Sequence, residues 1–184
     1  NNYTVKSPDG KLQVNVECEG GKVSYTVDYD GKQMLTRSAL GLVANYGDFS
    51  KNLTMGAWKG GKVERLAYDQ SRIKKAHVEK DVVEAYIGFL NEKKDSMTLR
   101  LHVSNNDVAY RYELIRPKKD NPKSVIIYKE VSGFNFPQQT TTFLCPQITP
   151  MTGWERTKPS YEEEYTPDAP MNKKSQFGVG YTFP

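Results

Sequence analysis

Residues Trp154-Glu155-Arg156-Thr157-Lys158-Pro159-Ser160-Tyr161-Glu162-Glu163-Glu164-Tyr165 set three adjacent carboxylates between two tyrosines, with a tryptophan and an arginine just upstream. Rings stack on sugars or bases, and carboxylates bind hydroxyls or hard cations such as Ca2+. If Tyr161–Tyr165 is extended, Glu162 and Glu164 share one face and Glu163 points away. Two carboxylates on one face suit a divalent cation better than glycoside hydrolysis, whose acid and base flank the scissile bond. Ca2+ takes roughly six to eight oxygens, so one short segment leaves most of the shell to be supplied from elsewhere. The same residues also read as a solvated loop, because consecutive glutamates are at home in water.

Other chemistry finds little support. The two histidines, His77 and His102, sit in apparent strands, and His102 falls on the polar face opposite Leu101 and Val103. No Ser-His-Asp arrangement can be built from them. No glycine-rich run opens a helix, and Gly178-x-Gly180 lacks the third glycine of a dinucleotide fingerprint. Cys18 and Cys145 have neither a CxxC spacing nor a neighbouring histidine, which argues against a metal site and leaves a long-range disulfide or two free thiols. The formal charge of +4 arises from 26 basic and 22 acidic residues scattered together. Without a concentrated basic face, a nucleic-acid partner is not expected. No run reaches the roughly 18 apolar residues of a membrane span.

The elements that must position these residues read as strands. Leu12, Val14, Val16 and Cys18 alternate with Gln13, Asn15 and Glu17, and Val23, Tyr25, Val27 and Tyr29 answer them across Gly20-Gly21. Asp30-Gly31 is a hairpin signal, and Ser7-Pro8-Asp9-Gly10 is a turn. Gly47, Gly56, Gly60 and Gly61 are expected to interrupt any long element over 45–62, with one helical turn conceivable from Phe49 to Leu53. Strands resume over Val63–Tyr68, Ile73–Val78 and Val82–Leu90. Met97, Leu99, Leu101 and Val103 then alternate, answered by Val108, Tyr110, Tyr112 and Leu114 after the turn Ser104–Asp107. Val125–Tyr128 and Thr140–Leu144 complete the set. Helical periodicity is nowhere sustained, so an all-β antiparallel sandwich of eight or more strands in one domain follows. Six of the ten prolines fall in the last 39 residues, which predicts a tail of loop and edge strands.

Several phrases together are similar to the N-terminal domain of glycoside hydrolase family 97, bacterial enzymes acting on α-glucosides or α-galactosides. They are Ser7-Pro8-Asp9-Gly10-Lys11-Leu12, the hairpin Tyr25–Gly31, Ser38-Ala39-Leu40-Gly41-Leu42, and Asn106-Asp107-Val108-Ala109-Tyr110-Arg111-Tyr112-Glu113. Trp154 with Ser160-Tyr161-Glu162-x-x-Tyr165 and the closing Gly180-Tyr181-Thr182-Phe183-Pro184 extend the likeness over nearly the whole chain. The resemblance implies a galactose-mutarotase-like β-supersandwich that packs on a catalytic (β/α)8 barrel of the same polypeptide. It also implies an α-linked oligosaccharide as substrate and a periplasmic or secreted location. In calcium-dependent members a glutamate of this domain joins barrel glutamates around Ca2+. The Tyr-Glu-x-x-Tyr phrase places that ligand at Glu162, with Glu164 second, and Trp154, Arg156, Tyr161 and Tyr165 as sugar or loop contacts. The family's catalytic carboxylates belong to the barrel, so the chain alone is expected to be inactive and to hold no Ca2+. The family's domain runs past Pro184, which implies a sandwich incomplete at its C-terminus. A free-standing carbohydrate-binding module is the alternative.

Overall fold

The structure, a computed structural model, describes residues 1–71, 77–115, 124–147, 164–175 and 180–182. They divide into two compact units, Asn1–Asn135 and Phe136–Pro184. The first opens with β1 (Asn2–Lys6), β2 (Leu12–Glu19), β3 (Lys22–Tyr29) and β4 (Lys32–Leu40), an antiparallel sheet in the order β1-β2-β3-β4. Its turns follow the sequence. Ser7 Oγ donates to Asp9 Oδ1 at 2.6 Å, and Gly10 N donates to Ser7 O at 2.9 Å. Asp30 and Gly31 take φ of 49° and 78°, the pair of positive values that a two-residue hairpin loop demands.

After β5 (Leu42–Ala44) and β6 (Gly47–Asp48) come β7 (Thr54–Asp69), β8 (His77–Leu90), β9 (Ser96–Val103) and β10 (Val108–Leu114). These last four form a second antiparallel sheet, order β10-β9-β8-β7. The inward residues of both sheets join one apolar cluster. Val14 and Val16 of β2 meet it from one side, and Ala85, Ile87 and Phe89 of β8 with Met97, Leu99 and Leu101 of β9 from the other. Each such large apolar side chain contributes about 1.5–3 kcal/mol on burial. Tyr3 stacks on Trp58, centroids 5.5 Å apart at 15°, where β1 and β7 approach. A small sheet, order β11-β5-β6, is completed by β11 (Ile127–Glu130). The second unit holds β12 (Thr141–Pro146), β13 (Thr166–Pro170) and β14 (Tyr181–Thr182), order β13-β12-β14. The described residues are all strand, turn and loop, as the alternation predicts.

Two local expectations need correction. The glycines of 45–62 do not end the strand: β7 runs for 16 residues through Gly56, Gly60 and Gly61. It does so by shifting register between Met55 and Trp58 and between Gly60 and Lys62, so the irregularity is absorbed in bulges. Phe49–Leu53 is not helical. Phe49 N donates to Leu42 O at 2.8 Å and its ring is fully buried, so tertiary packing decides the backbone there. The proline-rich tail is as expected: past Pro146 its described strands, β13 and β14, are the two edges of their sheet. Ile73 lies outside the described residues; β8 begins at His77.

Candidate functional site

Of the predicted run, residues 154–163 lie outside the described residues, and with them Trp154, Arg156, Tyr161 and Glu162. Glu164 and Tyr165 are described, immediately before β13, and both are exposed. Register pairs Leu144 with Thr166, so residues 143 and 165 stand diagonally across the ladder on its other face. There Tyr165 stacks on Phe143 with centroids 4.9 Å apart and planes 11° from parallel. Both rings remain about half in water, at 44% exposure for Phe143 and 43% for Tyr165. Phe143 escapes sequence reasoning. Its signal is an aromatic residue on the face opposite inward Leu144, where alternation asks for a polar one. An exposed ring pair of this kind is the sort of apolar surface on which a sugar's C–H face can stack.

The first unit carries a charged network on the outward face of β8, β9 and β10. Register places Tyr86, Arg100 and Arg111 in one row and Glu84, His102 and Ala109 in the next. Glu84 takes Arg100 as ion-pair partner, and His102 Nε2 lies 2.7 Å from its Oε1. Arg100 also reaches Glu113 Oε1 at 3.3 Å and covers the Tyr86 ring at 5.1 Å. Burial pushes the Glu84 carboxyl upward, but hydrogen bonds from His102, Arg100 and Tyr86 outweigh it and hold the group at about 2. A carboxylate held this low and paired with a guanidinium has no proton to trade near neutral pH. This network holds the sheet together; it is not an acid–base pair. His77 likewise lies between Asp69 Oδ1 at 2.7 Å and Glu79 Oε1 at 3.1 Å on an exposed stretch of hairpin.

Neither cysteine is in a disulfide. Cys18 Sγ meets Leu53 O at 3.4 Å, and burial pushes its thiol up, away from the reactive thiolate. Among the described residues no group of three or more His, Cys, Asp or Glu could hold a metal ion. Among the same residues, no helix is long and apolar enough to cross a membrane.

Chains of this fold are known. The family model described as "Glycosyl-hydrolase 97 N-terminal" matches residues 5–184. The chain belongs to glycoside hydrolase family 97. A solved beta-arabinopyranosidase is 46% identical, superposes with a TM-score of 0.80, and covers 99% of this chain. A Glycoside Hydrolase Family 97 enzyme from Pseudoalteromonas sp. strain K8, solved with panose and with acarbose, superposes over 79% of this chain. At a TM-score of 0.66 and 21% identity, it shares the fold. The chain spans 29% of the first relative's length and 22% of the second's. No curated protein matches.

Proposed function

We propose that this chain is the non-catalytic N-terminal sandwich of a longer family 97 glycosidase, laid against a (β/α)8 barrel that carries the catalytic carboxylates. The observation that carries the reading is the match to the family's N-terminal domain over residues 5–184, in a chain that spans less than a third of its relatives. Glu162, with Glu164 as second choice, would offer one oxygen ligand to Ca2+ shared with barrel residues. Exposed Glu164 fits such a donor, and a lone carboxylate segment needs partners to complete the shell. Bound there, the cation would relieve repulsion among the gathered carboxylates and polarise a coordinated oxygen. Trp154, Arg156, Tyr161 and Tyr165 would orient the segment or meet the sugar.

The substrate is an α-linked glycoside of galactose-like configuration. The 46% identical relative is a beta-arabinopyranosidase, and a β-L-arabinopyranoside has the ring and anomeric configuration of an α-D-galactopyranoside without its exocyclic carbon. This favours the α-galactoside side of the expectation over the α-glucoside side. A periplasmic or secreted location suits a glycan-degrading enzyme. In the full-length parent, Glu162→Gln should weaken Ca2+ affinity about tenfold or more. The gain in thermal stability on adding Ca2+ should shrink with it while the apo melting temperature holds. Calcium dependence unchanged in both Glu162→Gln and Glu164→Gln would refute the assignment.

A further inference from the structure

The unit Asn1–Asn135 contains a cleft of ≈300 Å³ that the reading above leaves unused. Three elements build it. The turn Asn45-Tyr46 of the β5–β6 hairpin and the adjoining Asp48 form one wall. The β8–β9 turn, with Glu92 and Lys93, forms the second, and Tyr128 of β11 the third, with Lys51 also lining the space. Each wall is braced. Asn45 Nδ2 donates to Ser124 O at 3.1 Å, and Asn45 Oδ1 accepts from Ile126 N at 3.3 Å, which fastens β11 onto the hairpin turn. Buried Asn91 accepts from Lys93 N at 3.0 Å and Asp95 N at 2.9 Å, which sets the second turn.

The lining keeps hydrogen-bonding capacity in hand. Asp48 Oδ1 is taken by Ser50 N and Oγ at 2.8 and 2.6 Å, but among the described residues Oδ2 has only Lys51 Nζ, at 3.9 Å, too long for a hydrogen bond. Glu92 spends one oxygen on Asn52 Nδ2 at 2.8 Å. Tyr46 lines the cleft, and among the described residues its hydroxyl is buried without a partner. The charges cancel, two carboxylates against two ammoniums, so an anion would meet Asp48 and Glu92 and a cation would meet Lys51 and Lys93. A neutral polyol does not face that conflict. Each of its hydroxyls both donates and accepts, which is what a mixed acid–amine lining asks for. Tyr128, 67% exposed, adds a ring face for the sugar's apolar side.

We propose that this cleft binds a short neutral saccharide, with Tyr128 under one ring and Asp48, Lys51, Glu92 and Lys93 on its hydroxyls. Its volume lies at the low end of the roughly 300–1,000 Å³ of small-molecule sites, which suits one or two sugar residues. The inference rests on the glycosidase reading only for the choice of probes. The 184-residue chain would be titrated with maltotriose and with an α-1,6-galactobiose, reading amide chemical shifts. Saturable shifts are expected at residues 45–48, 91–93 and 128, with half-saturation in about the millimolar range. Tyr128→Ala and Asp48→Ala should each weaken binding about tenfold, with the remaining spectrum unmoved, while Tyr68→Ala, an exposed ring near the end of β7, leaves it intact. The proposal is overturned if neither sugar gives saturable shifts there. It is equally overturned if Phe143→Ala abolishes binding that Tyr128→Ala spares. Loss of Ca2+ binding by Glu162→Gln in the parent bears on the barrel-site reading alone.

Discussion

At the scale of single residues, polar side chains in this protein mostly hold strands in register. The Tyr112 hydroxyl, pushed up to about 12 chiefly by burial, accepts from Gly41 N at 2.8 Å and shares a hydrogen with Ser132 Oγ at 2.6 Å. Ser38, fully buried, donates to Thr36 O and accepts from Asn135 N, both at 2.8 Å, and so ties β4 to the chain after β11. Glu84 is the group with the clearest thermodynamic consequence. Its folded-state value of about 2 lies below the ordinary 4.5, so its contribution to stability is complete above pH 4.5 and is lost as pH falls through 2. At neutral pH that contribution is roughly 2–3 kcal/mol. Glu84→Gln should therefore lower the urea midpoint at pH 7 and flatten its fall between pH 5 and pH 2. An unchanged pH slope would show that the other carboxylates with lowered values, such as Asp9 and Asp107, carry it instead. The sequence placed His102 on the polar face of its strand; that Glu84 and Arg100 would converge on it needed the register of three strands.

Among the elements, the short connection between β4 and β5 is the least tolerant. Gly41 takes a φ of 132°, and a Cβ there would stand 2.4 Å from Phe49 O. Neither the backbone angle nor the space admits a side chain, so Gly41→Ala should cost more than about 2 kcal/mol in chemical denaturation. A cost under about 0.5 kcal/mol would mean that the β4–β5 corner and buried Phe49 can move apart. The residues that make this corner tight, Phe49 and Val131, are 8 and 90 positions away, which is why the phrase Ser38–Leu42 looked like a motif without revealing its reason. Strand alternation, by contrast, is a local property, and β2, β3, β9 and β10 fall where the pattern puts them. The long β7 does not, because bulges that accommodate its glycines depend on a partner strand being present to receive the shift.

For the molecule as a whole, the main apolar cluster draws all its members from the first 135 residues. Residues 1–135 expressed alone should unfold in one cooperative urea transition with a β-type far-ultraviolet spectrum; a broad, non-cooperative loss of signal would show that the second unit is needed to hold the sheets. Family membership and the all-β class were both readable from sequence, since each rests on patterns a few residues long repeated in order along the chain. The candidate sites divide differently. The acidic and aromatic run announced itself by composition, whereas the Phe143–Tyr165 ring pair joins residues 22 apart through a strand ladder. The saccharide cleft collects Tyr46, Glu92 and Tyr128 from three separate elements, and no linear pattern links them. Period-two alternation is a property of neighbours along the chain, so the sequence alone determines which face of each strand is dry. Which outward side chains meet is decided by sheet order and register, and those exist only once the two sheets have closed on their common core.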